Sequence, residues 1–243
     1  MKTFILASLI LFLAACASTE GKVAWRVRDM ALAPTQMVAL QAPNRKIVAT
    51  LSTLKMKKLL LAHFRIARAA GVRAELVIVD GTDPNAFVGL MNQRYAFVIN
   101  VAMLKLIGDD IDEFAALLGH EAAHLAKGHA EASKTRSSTL EGIGTLVGVG
   151  LGMAGVPAGG VISGLGVDLI DASYSRDEER EADAFGVDYV ISAGYDPQGA
   201  IRLHEKMLKA SGGSILPFLS SHPSGEERIE NVKALIQAKK TEQ

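Results

Sequence analysis

The chain has 243 residues, of which 49% are hydrophobic and 21% charged, the profile of a globular protein rather than a disordered one. Its 26 Lys and Arg residues balance 26 Asp and Glu residues, so the formal net charge is zero. Nucleic-acid binding needs a concentrated basic surface, so this balance argues against nucleic acid as a partner.

The first sixteen residues have the organisation of a secretory signal. Lys2 supplies a positive charge, and the apolar residues 4–13 are too few to cross a bilayer as a helix. The run ends in Leu13-Ala14-Ala15-Cys16, which resembles the lipobox of bacterial lipoproteins. We therefore predict that residues 1–15 are a lipoprotein signal peptide and that acyl chains on Cys16 anchor the protein to a membrane. A plain secretory signal peptide is the alternative.

The single cysteine limits the chemistry of the mature domain. Because Cys16 is the only Cys, that domain has neither a disulfide nor a thiolate metal site, and any metal must be held by His and carboxylates. Ala17 rather than Asp follows Cys16, which resembles outer-membrane sorting in enterobacterial lipoproteins. We expect the protein on the periplasmic face of the outer membrane.

The residues after the signal contain two prolines and no apolar periodicity. Residues 16–43 are therefore predicted to form a lipidated tether with an early extended segment. Asn44 is predicted to cap a helix that ends near Ala70, because Gly71 stands just past that point. The lysines of this helix are interpreted as a solvated face.

Three short stretches rich in β-branched residues predict a small, largely antiparallel sheet. They are residues 74–79, 85–90 and 95–99. The second is interpreted as a strand edge to which an extended peptide adds through main-chain hydrogen bonds.

Capping signals and apolar periodicity predict four further helices. The first begins at Asp109 or Asp110, and Ser175 with Glu178 forms a capping box at the second. The predicted ranges are 110–132, 175–193, 197–210 and 225–239.

Residues 142–167 carry no charge and contain ten glycines. A hairpin of two short helices, packed on the domain or covering the substrate, is favoured over insertion into a membrane.

The central motif is His120-Glu121-Ala122-Ala123-His124. Residues four apart lie on one face of a helix, so His120 and His124 can reach a single zinc ion. Glu121 is one step round and is placed to accept a proton from water activated by that ion. The motif also occurs by chance in unrelated helices, so the interpretation requires a third ligand.

His129 is the first candidate for the third ligand. The metzincin pattern requires Gly at position 127 and His at position 130, where this chain has Lys127 and Ala130. In a continuous helix His129 would lie about 140° round from His124. We therefore interpret His129 as a structural or helix-end residue.

Glu179 and Asp183 offer a second candidate, four residues apart on a predicted helix. Glu179 would complete a site of two His and one Glu with an open position for water. Asp183 would accept the ring N–H of a ligand histidine, most simply that of His120. Glu178 competes as ligand but is used by the capping box, and a charged surface with Glu–Arg pairs is the structural alternative.

Three motifs occur in the order HEAAH, SRDEEREAD and Ser221-His222-Pro223 followed by Glu227-Arg228-Ile229. Together they resemble the HtpX and CAAX-prenyl-protease type of zinc metallopeptidase, most closely its secreted lipoprotein branch with BepA- and LoiP-like members. The resemblance runs from about residue 76 to residue 236. It implies an α+β gluzincin domain over residues 44–243, mainly helical, with a small sheet beside the active-site helix.

The resemblance also implies the roles of individual residues. One Zn²⁺ would be held by His120, His124 and Glu179, with Glu121 as general base. Asp183 matches an acid that we expect to orient a ligand His, and His222 matches a histidine near the open metal position that could stabilise an oxyanion. His63 and His204 have no partner at ligand spacing and are interpreted as structural.

The function implied is that of a zinc metalloendopeptidase of the bacterial cell envelope. Its substrates would be proteins or peptides, among them unfolded or misassembled envelope proteins. The alternative is an envelope chaperone or scaffold with a structural zinc site, in which His222 would supply a fourth protein ligand.

Overall fold

The computed structural model describes residues 24–42, 44–132, 135, 167–169, 174–212, 216–222 and 226–241. The predicted signal peptide, Cys16 and nearly all of the uncharged segment 142–167 lie outside these residues.

The strands of the described residues belong to two sheets. In chain order they are β1 (Ala24–Arg26), β2 (Met37–Gln41), β3 (Ile47–Ser52), β4 (Glu75–Val79), β5 (Ala86–Met91), β6 (Arg94–Asn100) and β7 (Val167–Leu169). The larger sheet has the order β1-β4-β6-β5-β7, and β2 pairs with β3 separately. All pairs are antiparallel except β4 with β6, whose register runs from Glu75 opposite Ala96 to Val79 opposite Asn100.

The β5–β6 hairpin follows from its turn residues. Asn92 and Gln93 have φ angles of 51° and 62°, the left-handed conformation that a two-residue hairpin turn requires. The three strands predicted from β-branched stretches are therefore present, two of them as this hairpin.

The sequence indicated that β5 is a free strand edge, but it is not free along its whole length. Gly89, Leu90 and Met91 pair with β7, which forms the end of the described sheet. Residues 86–88 have no β7 partner in the described part of the chain.

The helices enclose the inner face of the larger sheet. Their bounds are α1 (Val27–Ala31), α2 (Thr53–Ala70), α3 (Val101–Ile107), α4 (Ile111–Ala126), α5 (Arg176–Ser192), α6 (Gln198–Ser211), α7 (Pro217–Ser221) and α8 (Glu226–Thr241). The predicted α+β domain, mainly helical with a small sheet, is thus confirmed. Among the helices described, none has both the length and the apolar character needed to cross a bilayer.

The prediction of a tether up to residue 43 is wrong for residues 24–42. β1 pairs with β4, and Trp25, Met30 and Leu40 are buried in the main core. The fold therefore begins at least twenty residues before the predicted boundary at residue 44.

α2 also begins later than predicted. Ser52 rather than Asn44 caps it, accepting a hydrogen bond from the backbone N–H of Lys55, because residues 47–52 form β3. Its end at Gly71, with φ of 67°, is as predicted.

α4 is the central helix of the domain. Asp110 caps it, and the helix packs against α2, α5, α6 and β5. It ends at Ala126 rather than at residue 132, because Gly128 takes a left-handed φ of 71° before residues 129–132 resume a helical conformation.

Candidate metal centre

Two helices bring the predicted ligands together. α4 presents His120 and His124 with their Nε2 atoms 3.1 Å apart. α5 adds Glu179, whose Oε1 lies 3.2 Å from Nε2 of His124 and whose Oε2 lies 3.6 Å from Nε2 of His120. His120 and His124 therefore share one face of α4, as their spacing predicted, and this face lies against α5.

His222 completes the cluster from the end of α7. Its Nδ1 lies 3.1 Å from Nε2 of His120 and 2.9 Å from Oε1 of Glu179. The four side chains, His120, His124, Glu179 and His222, are all buried, and each offers one ligand atom within 4.8 Å of the others.

The cluster fits a zinc ion in size. Tetrahedral ligands at zinc–ligand distances of about 2.1 Å lie about 3.4 Å from one another. Four of the side-chain pairs that include His120 or Glu179 have nitrogen–nitrogen or nitrogen–oxygen distances of 2.9 to 3.2 Å, and the pair of His120 with Glu179 has one of 3.6 Å. All four ligand atoms lie within 4.8 Å of one another, so one ion of this size fits between them.

The protonation states also fit a metal. Burial lowers the pKa of His124 to about 4, and burial together with the positive charge of Arg228 lowers the pKa of His120 well below its usual value. Burial opposes ionisation of Glu179, but the facing imidazoles outweigh it and lower the pKa of this carboxyl far below its usual range. Neutral imidazoles and an ionised carboxylate are the forms that coordinate a cation.

Glu121 is a buried carboxylate beside the cluster. Both of its oxygens are buried, and neither has a hydrogen-bond partner among the described residues. Oε1 lies 3.5 Å from Nε2 of His222, and burial raises the pKa of Glu121 to about 7. A carboxylate with this pKa, beside the cluster but outside the ligand set, has the properties of a general base.

Asp183 and Arg228 form the layer behind the ligands. Oδ1 of Asp183 lies 3.1 Å from Nδ1 of His120, the ring nitrogen that faces away from the cluster. Arg228 donates from Nε and Nη2 to the two carboxylate oxygens of Asp183 at 2.6 and 2.7 Å, and its Nη1 lies against Oε2 of Glu179. Arg228 belongs to the third sequence motif, but nothing in its local spacing points to a contact with Glu179.

His129 contacts the predicted ligand His124, whereas a continuous helix would have pointed it elsewhere. The break at Gly128 turns it back, so its Nδ1 lies 3.1 Å from Nδ1 of His124. Its Nε2 lies 3.1 Å from Oε2 of Glu181 on α5. With Nε2 of His124 used for a metal, the N–H at its Nδ1 donates to His129, which donates in turn to Glu181.

Aromatic rings enclose the histidines. Tyr174 stacks on His124 with ring centroids 3.7 Å apart, and Phe218 stacks on His222 at 4.5 Å. Neither residue was predicted, since each lies outside the three motifs. These stacking contacts fix the planes of the two imidazoles.

The remaining buried histidines lie apart from the ligand cluster. Nε2 of His63 lies 2.9 Å from the carbonyl oxygen of Ala74. His204 lines, with Asp183 and Arg228, a largely apolar cavity of about 30 Å³ behind His120. Burial lowers the pKa of His204 to about 4.

The chain is similar in sequence to known metalloproteases. It is 27% identical over 177 residues to Metalloprotease YcaL of Escherichia coli (strain K12), covering 71% of the chain and 68% of the relative. It is 25% identical over 165 residues to Metalloprotease LoiP of the same organism, covering 66% of each.

A third relative is the Beta-barrel assembly-enhancing protease of Escherichia coli (strain K12). The identity is 30% over 146 residues, 56% of the chain but only 29% of the relative. The chain therefore spans less than a third of this longer protein.

The resemblance seen in the three motifs extends over most of the domain. The family model described as Peptidase family M48 matches residues 54–236, which include α4, α5 and His222. Members of this family are zinc-dependent metalloproteases. Because the match covers well over half of the chain, this protein belongs to peptidase family M48.

Proposed function

We propose that this M48 metallopeptidase is an endopeptidase of the bacterial cell envelope that hydrolyses unfolded or misassembled envelope proteins. The observation that carries the proposal is the buried cluster of His120, His124 and Glu179 with Glu121 beside it, a buried carboxylate that has no hydrogen-bond partner among the described residues. The substrate class is supported by the relative whose name describes it as enhancing β-barrel assembly.

The proposed chemistry assigns each residue a task. When bound, zinc lowers the pKa of water and polarises the carbonyl of the scissile peptide bond. Glu121 takes a proton from the attacking water and returns it to the leaving amine. Asp183 accepts the Nδ1–H of His120 and so holds the ring with Nε2 toward the cluster.

His222 is proposed to act as a donor on the substrate side of the cluster. Its Nε2 points toward Glu121, at 3.5 Å, while Nδ1 faces Glu179. A hydrogen bond donated from this ring to the oxygen of the attacked carbonyl would stabilise the negative charge that develops there.

The cellular location is proposed from the leader. Acyl chains on Cys16 would anchor the protein at the periplasmic face of the outer membrane, where its proposed substrates are assembled. Metabolic labelling with a palmitate analogue tests this step: wild type takes up the label and Cys16→Ala does not.

The position of His222 also supports a second candidate. A ring nitrogen of His222 lies within 4.8 Å of a ligand atom on each of the other three side chains, so four protein ligands could surround one ion and close the site. Such a site would be structural, as in an envelope chaperone or scaffold. Membership of a protease family favours the hydrolase.

A metal assay beside digestion of casein separates the two candidates. We expect about one zinc per chain and cleavage that a chelator abolishes and added zinc restores. Glu121→Gln should retain zinc and lose cleavage, His124→Ala should lose both, and Glu205→Gln at an exposed position serves as the control. Bound zinc without cleavage of any unfolded protein by the wild-type chain would support the scaffold instead.

A further inference from the structure

The solvent-facing side of α2 combines apolar and basic side chains. Leu54, Leu61 and Phe64 are exposed to 65%, 50% and 55% of their surface. Lys57, Lys58, Arg65 and Arg68 are exposed between and beside them at helical spacing. We call these seven residues the α2 face: Leu54, Lys57, Lys58, Leu61, Phe64, Arg65 and Arg68.

Exposed apolar side chains are concentrated around this helix. Single exposed apolar residues scattered over a surface are ordinary. In the part of the chain that the structure describes, however, the exposed large apolar side chains all lie between residues 32 and 64. Outside the α2 face they are Leu32, which follows α1, Met37 of β2 and Ile47 of β3.

The same region carries a strong positive charge. Residues 24–73 contain ten Lys or Arg and one acidic residue, Asp29, although the whole chain is neutral. Only part of this charge is compensated: Arg26 pairs with Glu75 at 3.0 Å and Lys55 with Asp109 at 3.2 Å. Across the described ranges, no ion pair involves Lys57, Lys58 or Arg68, three of the basic residues of the α2 face.

We propose that the α2 face docks on an anionic lipid surface. Helices that lie in a membrane interface combine exposed Leu and Phe with Lys and Arg on the same exposed side. The basic residues attract anionic headgroups, and the apolar residues enter the boundary between headgroups and acyl chains. Charge and apolar exposure coincide on one helix, so a lipid surface matches both properties at once.

The position of the proposed lipid anchor on Cys16 agrees with docking of the α2 face on a membrane. This argument from the anchor rests on the proposed function, whereas the docking proposal itself does not. The residues that join Cys16 to Ala24 can span at most about 28 Å. A lipid on Cys16 would therefore keep the N-terminal basic region, rather than a distant part of the domain, next to the bilayer.

The test places a fluorescent reporter on the α2 face. In the full chain with Cys16→Ser, Leu61→Cys is the only thiol and is labelled with a dye whose emission shifts to the blue in an apolar environment. We expect a blue shift with vesicles of phosphatidylcholine and phosphatidylglycerol, none with phosphatidylcholine alone, and reversal at high salt. The same dye on Ala234→Cys, at an exposed position of α8, should not respond.

Charge reversal on the α2 face tests the electrostatic part of the proposal, and the same charge change elsewhere is the matched control. Lys57→Glu/Lys58→Glu should weaken the response to anionic vesicles about tenfold or more. Lys105→Glu/Lys209→Glu changes the net charge equally at exposed positions elsewhere and should leave the response intact. Neither pair touches the metal centre, so casein cleavage should be unchanged and a failure of docking is distinguishable from a failure of proteolysis.

Three results would overturn the proposal. An α2 reporter that responds equally to neutral and anionic vesicles, or to neither, excludes charge-dependent docking. A reporter already blue-shifted without vesicles means that the chain itself covers the α2 face. A shift that grows with protein concentration in the absence of lipid means that a second copy occupies it.

Discussion

Gly119 of α4 and Gly186 of α5 face each other where the two helices cross. A Cβ atom on Gly119 would lie 2.9 Å from the carbonyl oxygen of Gly186, and one on Gly186 would lie 3.1 Å from the backbone nitrogen of His120. The helix backbones are therefore in direct contact. Since Glu179 is two turns from Gly186 on the same face of α5, this contact sets its distance from the histidines.

Gly119→Ala should therefore separate the two helices and weaken the metal centre. The overpacking costs about 1–3 kcal/mol, of which the better helix propensity of Ala returns up to about 1 kcal/mol. We expect a small loss of unfolding free energy in urea and a clear loss of zinc affinity in competition with a chromophoric chelator. Ser192→Ala, exposed on α5, is the control. Unchanged zinc affinity would show that the glycine contact does not position Glu179.

Arg228 is predicted to hold the two carboxylates behind His120. Lys keeps the charge but cannot reproduce the two-point contact with Asp183 while also reaching Glu179. Loss of such an outer partner typically lowers metal affinity about 10–100-fold, so Arg228→Lys should lie near the lower bound and Arg228→Gln near the upper.

Zinc titration with kcat and KM measured separately checks this prediction. At saturating zinc, Arg228→Lys should reach most of the wild-type kcat, whereas a variant that merely misfolds would not. Arg180→Gln, half-exposed on α5, should match the wild type. Wild-type zinc affinity in Arg228→Gln would refute the role.

His129 is predicted to fix the orientation of His124 through Glu181. His129→Phe leaves the Nδ1–H of His124 without its acceptor, and we expect zinc affinity to fall roughly tenfold. Glu181→Gln retains an acceptor for the N–H at Nε2 of His129, so it should lower zinc affinity less than Glu181→Leu does. Equal zinc affinities in the two Glu181 variants would argue against this chain of hydrogen bonds.

His63 should make the domain sensitive to acid. Burial lowers its pKa in the folded protein, while in the unfolded chain it titrates near the ordinary value of 6.5. Above that pH both states are neutral. Below it the unfolded state binds a proton that the folded state resists, so unfolding free energy falls by up to about 1.4 kcal/mol per pH unit until the folded pKa is reached.

His63→Gln isolates this contribution. Its amide can donate to the carbonyl of Ala74 as the imidazole does, but it does not titrate. Urea denaturation at about pH 7 and pH 5.5 should show a smaller loss of stability in the variant than in the wild type. Identical losses would mean that other buried histidines account for the acid sensitivity.

Local signals predicted the elements that depend on a few neighbouring residues. The capping box of Ser175 and Glu178 is present, as is the helix end at Gly71. The predicted start of α2 was wrong. Asn is a residue type that favours helix N-caps, but pairing of β2 with β3 keeps residues 47–52 extended, so Asn44 does not cap α2. Pairing with a partner strand overrides a local capping preference.

The sequence by itself determined the chemistry available: a single cysteine at position 16, two histidines four apart and a family of zinc peptidases. Only the tertiary structure decided which distant groups meet them. The crossing at Gly119 and Gly186, the turn at Gly128 and the docking of α8 through Arg228 bring the carboxylates and outer partners to His120 and His124. These contacts depend on close packing between separate helices, and residue spacing along one helix carries no information about the helix that crosses it.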